Sequence, residues 1–271
     1  MSRLPKVANP TRKLYASDMS DAEWVVIEPK IPAPKGFGHP RTVDVREVLN
    51  AIFYVQRSGC QWEMLPHDFP PYTTVYKYFR KWQRKGIWQA IHDELRGELR
   101  EMTGRKADSS VAIADSQSVK NDRKKGAVYG FDGGKKVKGR KRHIVVDSQG
   151  LLLGVLVTEA NGSERLGAVV TFHEARERLS ELQVVYVDQG YSGENFARAI
   201  QQICGESVRV EVVERTSKTF EVLPKRWIVE RTFGWLNRYR RLSKDYEVYT
   251  DLSEGMIYGA LIRLMLRRMA A

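Results

Sequence analysis

Apolar residues recur at helical spacing through the first hundred positions and in short strand-like runs after that. Ser20-Asp21-Ala22-Glu23 is a capping box, so a short helix should carry Trp24, Val25 and Ile27. Pro29, Pro32, Pro34 and the Gly36-Phe37-Gly38 turn end it, leaving 30–41 as a linker. Asp44 is positioned to cap a second helix to about Arg57, with Val45, Val48, Leu49, Ile52 and Phe53 inward and Ser58-Gly59 as its stop. After Pro66, Pro70 and Pro71, Thr73 or Thr74 should cap a third helix. It turns Val75, Phe79 and Trp82 inward and Lys77, Arg80, Lys81, Arg84 and Lys85 outward. Gly86 separates it from a fourth helix, 87–102. Residues 1–19 lack periodicity and read as a loose basic arm. A basic third helix in a four-helix domain, 20–102, resembles a helix-turn-helix DNA reader. A helical bundle with a solvated face is the alternative, because some fifteen residues separate helices two and three.

From 103 to 271 the pattern is mixed α/β. Strands are expected at 110–115, 142–147 and 151–159, the last two joined by the Ser148-Gln149-Gly150 turn. A helix (163–179), a strand (183–187), a helix (194–203) and a strand (208–213) follow. Two more helices come next, a basic amphipathic one over Lys225–Leu242 and one at 252–268. Three consecutive strands can pair antiparallel, whereas strands alternating with helices require parallel pairing.

Composition narrows the partners. A net charge of +12 and a pI near 9.6 point to a polyanion, nucleic acid first. Two separated cysteines, Cys60 and Cys204, exclude a disulfide framework, and the five histidines lack zinc-site spacing. No secretory signal or membrane-length apolar run is present, so a cytoplasmic protein is expected. The positive charge is concentrated. Ten Lys or Arg against two Asp lie between Lys120 and Arg142, interleaved with glycines, which reads as a mobile basic loop.

Three carboxylates stand out. Asp115 and Asp188 each close an apolar strand, and if those strands are parallel neighbours both emerge at the sheet edge where open α/β sheets bind ligands. Glu230 is the only acid in the basic stretch KRWIVERTFGWLNRYRRL. Singly, each has a plain explanation: a turn cap for either Asp, an ion pair with Arg226 for Glu230. Together they make a hard-oxygen site that could hold two divalent cations beside a phosphodiester.

Asp115 in IADSQSVK, the segment GGKKVKGRKRHIVVDSQGLLL, Asp188 in VYVDQGYSG, and RWIVERTFGWLNRYRRLSKDYE resemble the insertion-sequence-five family of bacterial DDE transposases. MSDAEW and LNAIFYVQRSGCQWEMLPHDFPPYTTVYKYFRKW extend the likeness over nearly the whole chain. The resemblance implies a ribonuclease-H-like catalytic domain over 103–271: a mixed sheet flanked by helices. It also implies Asp115, Asp188 and Glu230 as the acidic triad, and two Mg²⁺ per site with Mn²⁺ able to substitute. Its substrates would be the element's double-stranded terminal repeats and a target duplex, cut and joined by a homodimer on DNA near the nucleoid. No membrane or nucleotide cofactor is implied. Arg226 keeps its place four residues before Glu230; Leu223 and Asn237 stand where relatives carry Tyr and Lys. Asp188 and Glu230 are 42 positions apart, too few for a large inserted domain. DNA contacts are expected from Lys77, Arg80, Lys81 and Arg84; from Lys120, Lys135, Lys136, Lys138, Arg140, Lys141, Arg142 and His143; and from Arg226, Arg231, Arg238 and Arg241. Tyr191 and Trp235 are candidates to stack on a displaced base. A structure-specific nuclease of the same fold, or a domesticated DNA-binding regulator, remains an alternative reading.

Overall fold

Eight α-helices and six strands account for most of the regular structure among the described residues. They are α1 Asp21–Ile27, α2 Val45–Ser58, α3 Tyr72–Arg84, α4 Ile87–Met102, β1 Val111–Lys120, β2 Gly130–Asp132 and β3 Val137–Val146. Then come β4 Leu152–Glu159, α5 Glu164–Ala175, β5 Val184–Asp188, α6 Glu194–Cys204, β6 Arg209–Val213, α7 Arg226–Leu236 and α8 Thr250–Met269. This is a computed structural model describing residues 4–34, 41–121, 128–213 and 225–271. The expected linker at 30–41 and basic loop at 120–142 therefore lie partly outside the described residues, and Leu223 wholly so.

Two compact units result. One comprises residues 1–95, 238–242 and 255–271; the other comprises 96–237 and 243–254. The division differs from the one expected at 102/103, because chain from the far end completes the first unit.

In that first unit the helix limits follow local chemistry. Ser20 and Glu23 form the reciprocal capping box of α1, and Asp44 accepts from the Arg46 and Glu47 amides at the start of α2. Gly59 closes α2 in the left-handed conformation, φ +75°. α3 begins at Tyr72, after Pro71, one to two residues before the threonines expected to cap it. The core joins Val48, Leu49, Ile52, Val75, Phe79 and Trp88 to Met256, Ile257, Leu261 and Met265 of α8, all buried. Polar ties reinforce it: Gln56 Nε2 donates to Met256 O (3.1 Å), and the buried Arg263 pairs with Glu23 and donates to Asp18 O. The N-terminal segment is not loose over its described part. Arg12 bridges Asp18 and Glu47, and Asp18 and Met19 are fully buried.

The second unit is a mixed sheet flanked by helices, the α/β class expected. Its order is β2-β3-β1-β5-β6, with β4 also on β3. β1, β3 and β4 pair antiparallel; β5 and β6 run parallel to β1. α5 and α6 cover one face around a core of Val145, Leu153, Phe172, Val185, Phe196 and Ile200. Two expectations fail here. β1 does not end at Asp115 but continues to Lys120. The segment read as a loop to Arg142 supplies β2 and most of β3.

Candidate functional site

β1 and β5 pair only at Val111–Val184, Ala112–Val185 and Ile113–Tyr186. Beyond that β1 stays with β3 while β5 stays with β6 to Asp188, so extending the register by two residues sets Asp115 level with Asp188 across the opening between them. Asp188 Oδ1 accepts from the Gly190 amide (2.9 Å), an Asx turn that stops the strand. The gap opens as a depression lined by Asp115, Tyr186, Asp188, Val213 and Arg226.

Asp115 is half-buried at the floor of this opening. Burial pushes its carboxyl up to about 6, with Asp188 adding to the rise and the Ser116 amide (2.7 Å), Arg226 and Lys135 opposing it.

α7 brings Glu230. Ile228, Val229, Thr232, Phe233, Trp235 and Leu236 are buried, and Thr232 Oγ1 donates to Gly150 O (2.7 Å). Arg231 Nη2 donates to Gln149 O (2.9 Å), so the β3–β4 turn anchors the helix from two residues. A Cβ at Gly150 (φ +79°) would meet Thr232 Oγ1 at 2.8 Å, and only glycine permits this approach. Lys225 enters the helix at φ +66° and donates from Nζ to Tyr186 Oη (2.6 Å). On the open side, the Arg226 guanidinium stands between two carboxylates, 3.5 Å from Asp188 and 3.4 Å from Glu230. These are ion pairs without hydrogen-bond geometry, and the buried Arg226 Nε has no hydrogen-bond partner.

The structure thus brings Asp115 and Asp188 to one opening and ties Glu230 to it through Arg226. Among the described residues no group of three or more His, Cys, Asp or Glu side chains gathers closely enough to hold a metal ion. The aspartate pair nonetheless fits a hard divalent cation. Both offer only oxygen, and the carboxylate that burial and a like charge disfavour is the one a cation would stabilise.

Behind Asp115, on the other face of β1, Ser116 Oγ donates to Glu164 Oε1 (2.9 Å), which also holds Lys135 Nζ (3.0 Å) and Lys141 Nζ (3.5 Å). Burial alone would raise Glu164, but the Lys135 hydrogen bond and charge, with Ser116 and Lys141, hold it below the ordinary value. The sequence reading did not single out Glu164, Tyr186 or Lys225. Only Tyr186 had a local signal, since alternation puts it on the same face of β5 as Asp188.

Several expected DNA contacts are not at the surface. Arg140, Lys141, Arg142 and His143 are buried in β3. Arg140 donates to Asp245 (3.1 Å), Ser253 Oγ and the carbonyls of Val128, Glu247 and Val248, and Arg142 donates to Lys244 O. His143 Nε2 meets Thr158 Oγ1 (3.0 Å); burial, then Lys141, pulls its pKa down to about 4, so the ring is neutral at pH 7. Arg241 is buried and donates to Cys60 O. The helix expected through Leu242 stops at Leu236, so Arg238 and Arg241 do not continue its basic face. Tyr191 and Trp235 are 1% and 8% exposed, which removes both as stacking surfaces. Lys77, Lys81, Arg84, Lys120, Lys135, Lys136, Lys138 and Arg238 are exposed, and Arg80, Arg226 and Arg231 are half-buried. On α3, Tyr72, Tyr76, Lys77, Arg80, Lys81 and Arg84 line one open concavity.

Comparison with known proteins agrees with the resemblance. Residues 106–265 match the transposase DDE domain family, and residues 19–92 match a domain described as belonging to transposases of the IS4/5 family. A protein of Burkholderia cepacia named as a transposase for insertion sequence element IS402 is 32% identical over 134 residues, 46% of this chain and 60% of that protein. The chain therefore spans less than two thirds of that relative. An uncharacterized 16.2 kDa protein of the same element is 31% identical over 112 residues, 38% of this chain and 72% of that protein. The crystal structure of the Mos1 strand transfer complex aligns with 88% of this chain and 79% of its own at 13% identity and a TM-score of 0.31. Among the described residues no helix is long and apolar enough to cross a membrane.

Proposed function

This chain belongs to the transposase DDE domain family, and from that premise we propose that it cuts the ends of a bacterial insertion sequence and joins them to target DNA. The observation that carries this reading is the level pair Asp115 and Asp188 at the open end of β1 and β5, with Glu230 linked through Arg226. In this reading Asp115, Asp188 and Glu230 hold two divalent cations, Mg²⁺ by the hardness of the donors, with Mn²⁺ able to substitute. When bound, such ions activate water or a 3′-hydroxyl and stabilise the leaving oxygen of an in-line displacement.

The chain's own residues do the rest. Arg226, held by the acids only through long ion pairs, turns its guanidinium to the phosphate. Lys135, exposed but paired with Glu164 behind Asp115, exchanges that partner for the DNA backbone. The α3 concavity with Lys77, Arg80, Lys81 and Arg84 binds the terminal repeat, and Lys120, Lys136, Lys138, Arg231 and Arg238 add phosphate contacts. Two copies synapse the two ends, each copy at the nucleoid of a bacterial cytoplasm.

The test is incubation with labelled ends of its own element in Mg²⁺, in Mn²⁺ and in EDTA. Asp115→Asn, Asp188→Asn and Glu230→Gln should each retain repeat binding while lowering cleavage at least ~10³-fold. Undiminished cleavage by any one removes that residue from the site. Pre-cut ends offered with a plasmid separate the alternatives, because a nuclease hydrolyses and does not join.

A further inference from the structure

The rings expected to meet a displaced base are buried, yet two others stand in the open on the basic segment. Tyr129 is 44% exposed and Phe131 57%, with Val128 beside them at 51%. Phe131 lies directly across from Lys138 in the β2–β3 pair, and Lys138 Nζ is 5.4 Å from the centre of the Tyr129 ring. The ammonium thus lies over the Tyr129 ring, and Phe131 stands on the neighbouring strand beside it, both rings open to solvent. Lys120, Lys135 and Lys136 are exposed nearby in sequence and register.

The only acid on the hairpin, Asp132, is turned inward. It accepts from Ser118 Oγ (2.5 Å) and from the Gly134 and Lys135 amides, and it pairs with Lys141. Outward, the hairpin offers cations and aromatic faces only. A protein-binding patch needs no such excess of one charge, and a folded core would not leave both rings exposed. Nucleotides supply both complements, a phosphate for each lysine and a π-face for each ring. In a duplex the base faces are stacked away, so the matching ligand is unpaired.

Resting on the reading of this chain as a DNA enzyme, we propose that Tyr129 and Phe131 form a stacking platform for unpaired nucleotides of a frayed or single-stranded DNA end. The hairpin joins β1 at Lys120, five residues beyond Asp115. At ~3.3 Å per residue that is about 17 Å, the length of roughly five nucleotides of a strand. The platform thus receives bases a few positions from the phosphate held near Asp115.

The full chain is tested in EDTA, so that no cutting intervenes. One DNA is fully paired; the other carries a five-nucleotide unpaired tail at the same end, with 5-iododeoxyuridine in the tail for photocrosslinking. The tail should tighten binding on the order of 10-fold per engaged ring. Crosslinks should fall on Tyr129 or Phe131. Tyr129→Leu with Phe131→Leu should abolish the gain while leaving the affinity for paired DNA as it was. The proposal is overturned by a wild-type chain indifferent to the tail, by a gain that survives the double substitution, or by equal losses on both DNAs. Crosslinks confined to other residues, such as the exposed Trp227, overturn it without requiring any variant. If the tail is ignored but the ends are cut in Mg²⁺, this inference alone fails. If the chain neither binds nor cuts either DNA, the proposed function fails with it.

Discussion

Asp115 shows what one side chain exchanges for its position. Its carboxyl, ordinarily near 3.8, titrates at about 6 because burial and then the neighbouring Asp188 charge disfavour ionisation more than the Ser116 amide favours it. The folded chain therefore keeps this proton to higher pH than the unfolded chain. Stability falls as pH rises from about 4 to about 6 and then stays at the lower level. Asp115→Asn carries no such charge. In EDTA it should be more stable than the parent by at most ~3 kcal/mol above pH 7, with the difference shrinking as pH falls to 5. Urea melts at pH 5 and 7.5 measure this. A variant equally or less stable at both values would mean that the carboxylate is not under strain. Divalent cation should narrow the difference at pH 7.5, because it stabilises the ionised parent and not the amide.

At the scale of elements, β3 carries four consecutive cationic or imidazole side chains, 140–143, in the middle of a sheet. Local reading makes such a run a solvated loop. The structure buries it by supplying partners far away in sequence. Asp245, Glu247, Val248 and Ser253 close around Arg140 on one face of the strand; Asp132, Glu164 and Thr158 meet Lys141 and His143 on the other. Arg140→Met would leave the Asp245 charge, 2% exposed, with only the Ser253 hydroxyl and the Glu247 amide and no ion pair to Arg140, and three carbonyls without the Arg140 donor, so it should cost about 3–5 kcal/mol in chemical denaturation. A loss under ~1 kcal/mol would show the network to be dispensable. α5 makes the complementary demand. A Cβ at Gly167 would come within 2.2 Å of the His143 ring, so the helix sits on β3 only because that position has no side chain. Gly167→Ala should destabilise by ~1–3 kcal/mol despite its better helix propensity, and an increase in stability would contradict the close packing. These partners explain what was legible in the sequence. Asp188 could be read at a strand end because the apolar run 184–187 is local. The continuation of β1 past Asp115 could not, because Gln117, Ser118 and Lys120 are polar and their pairing depends on β3. The stop of α7 at Leu236 was hidden for the same reason, since Arg241 answers to Cys60 O 181 positions away.

For the molecule as a whole, chain order and unit membership differ. The sequence suggests a helical domain complete by residue 102, yet the first unit draws on 238–242 and 255–271. Met256, Ile257, Ala260, Leu261 and Met265 lie in its interior. Tyr239 Oη donates to Ala260 O (2.9 Å), Arg57 Nη1 to Arg238 O (2.6 Å), and the His92 ring lies 5.3 Å from that of Tyr258. Without α8, the inner faces of α2 and α3 would meet water. The fragment would then expose apolar side chains such as Phe53, Phe79 and Trp88 that are buried in the whole chain. Residues 1–102 expressed alone should thus show helical circular dichroism with a broad, weakly cooperative melt and poor dispersion of amide resonances. Linking 238–271 to its end should restore a sharp transition. A fragment 1–102 that already melts cooperatively would mean that the covering helix is an accessory. The consequence reaches repeat binding, because the α3 concavity is built on this core. Truncation at 254 should weaken affinity for the terminal repeat as strongly as substituting Lys77 and Arg84, while leaving Asp115, Asp188 and Glu230 in the chain.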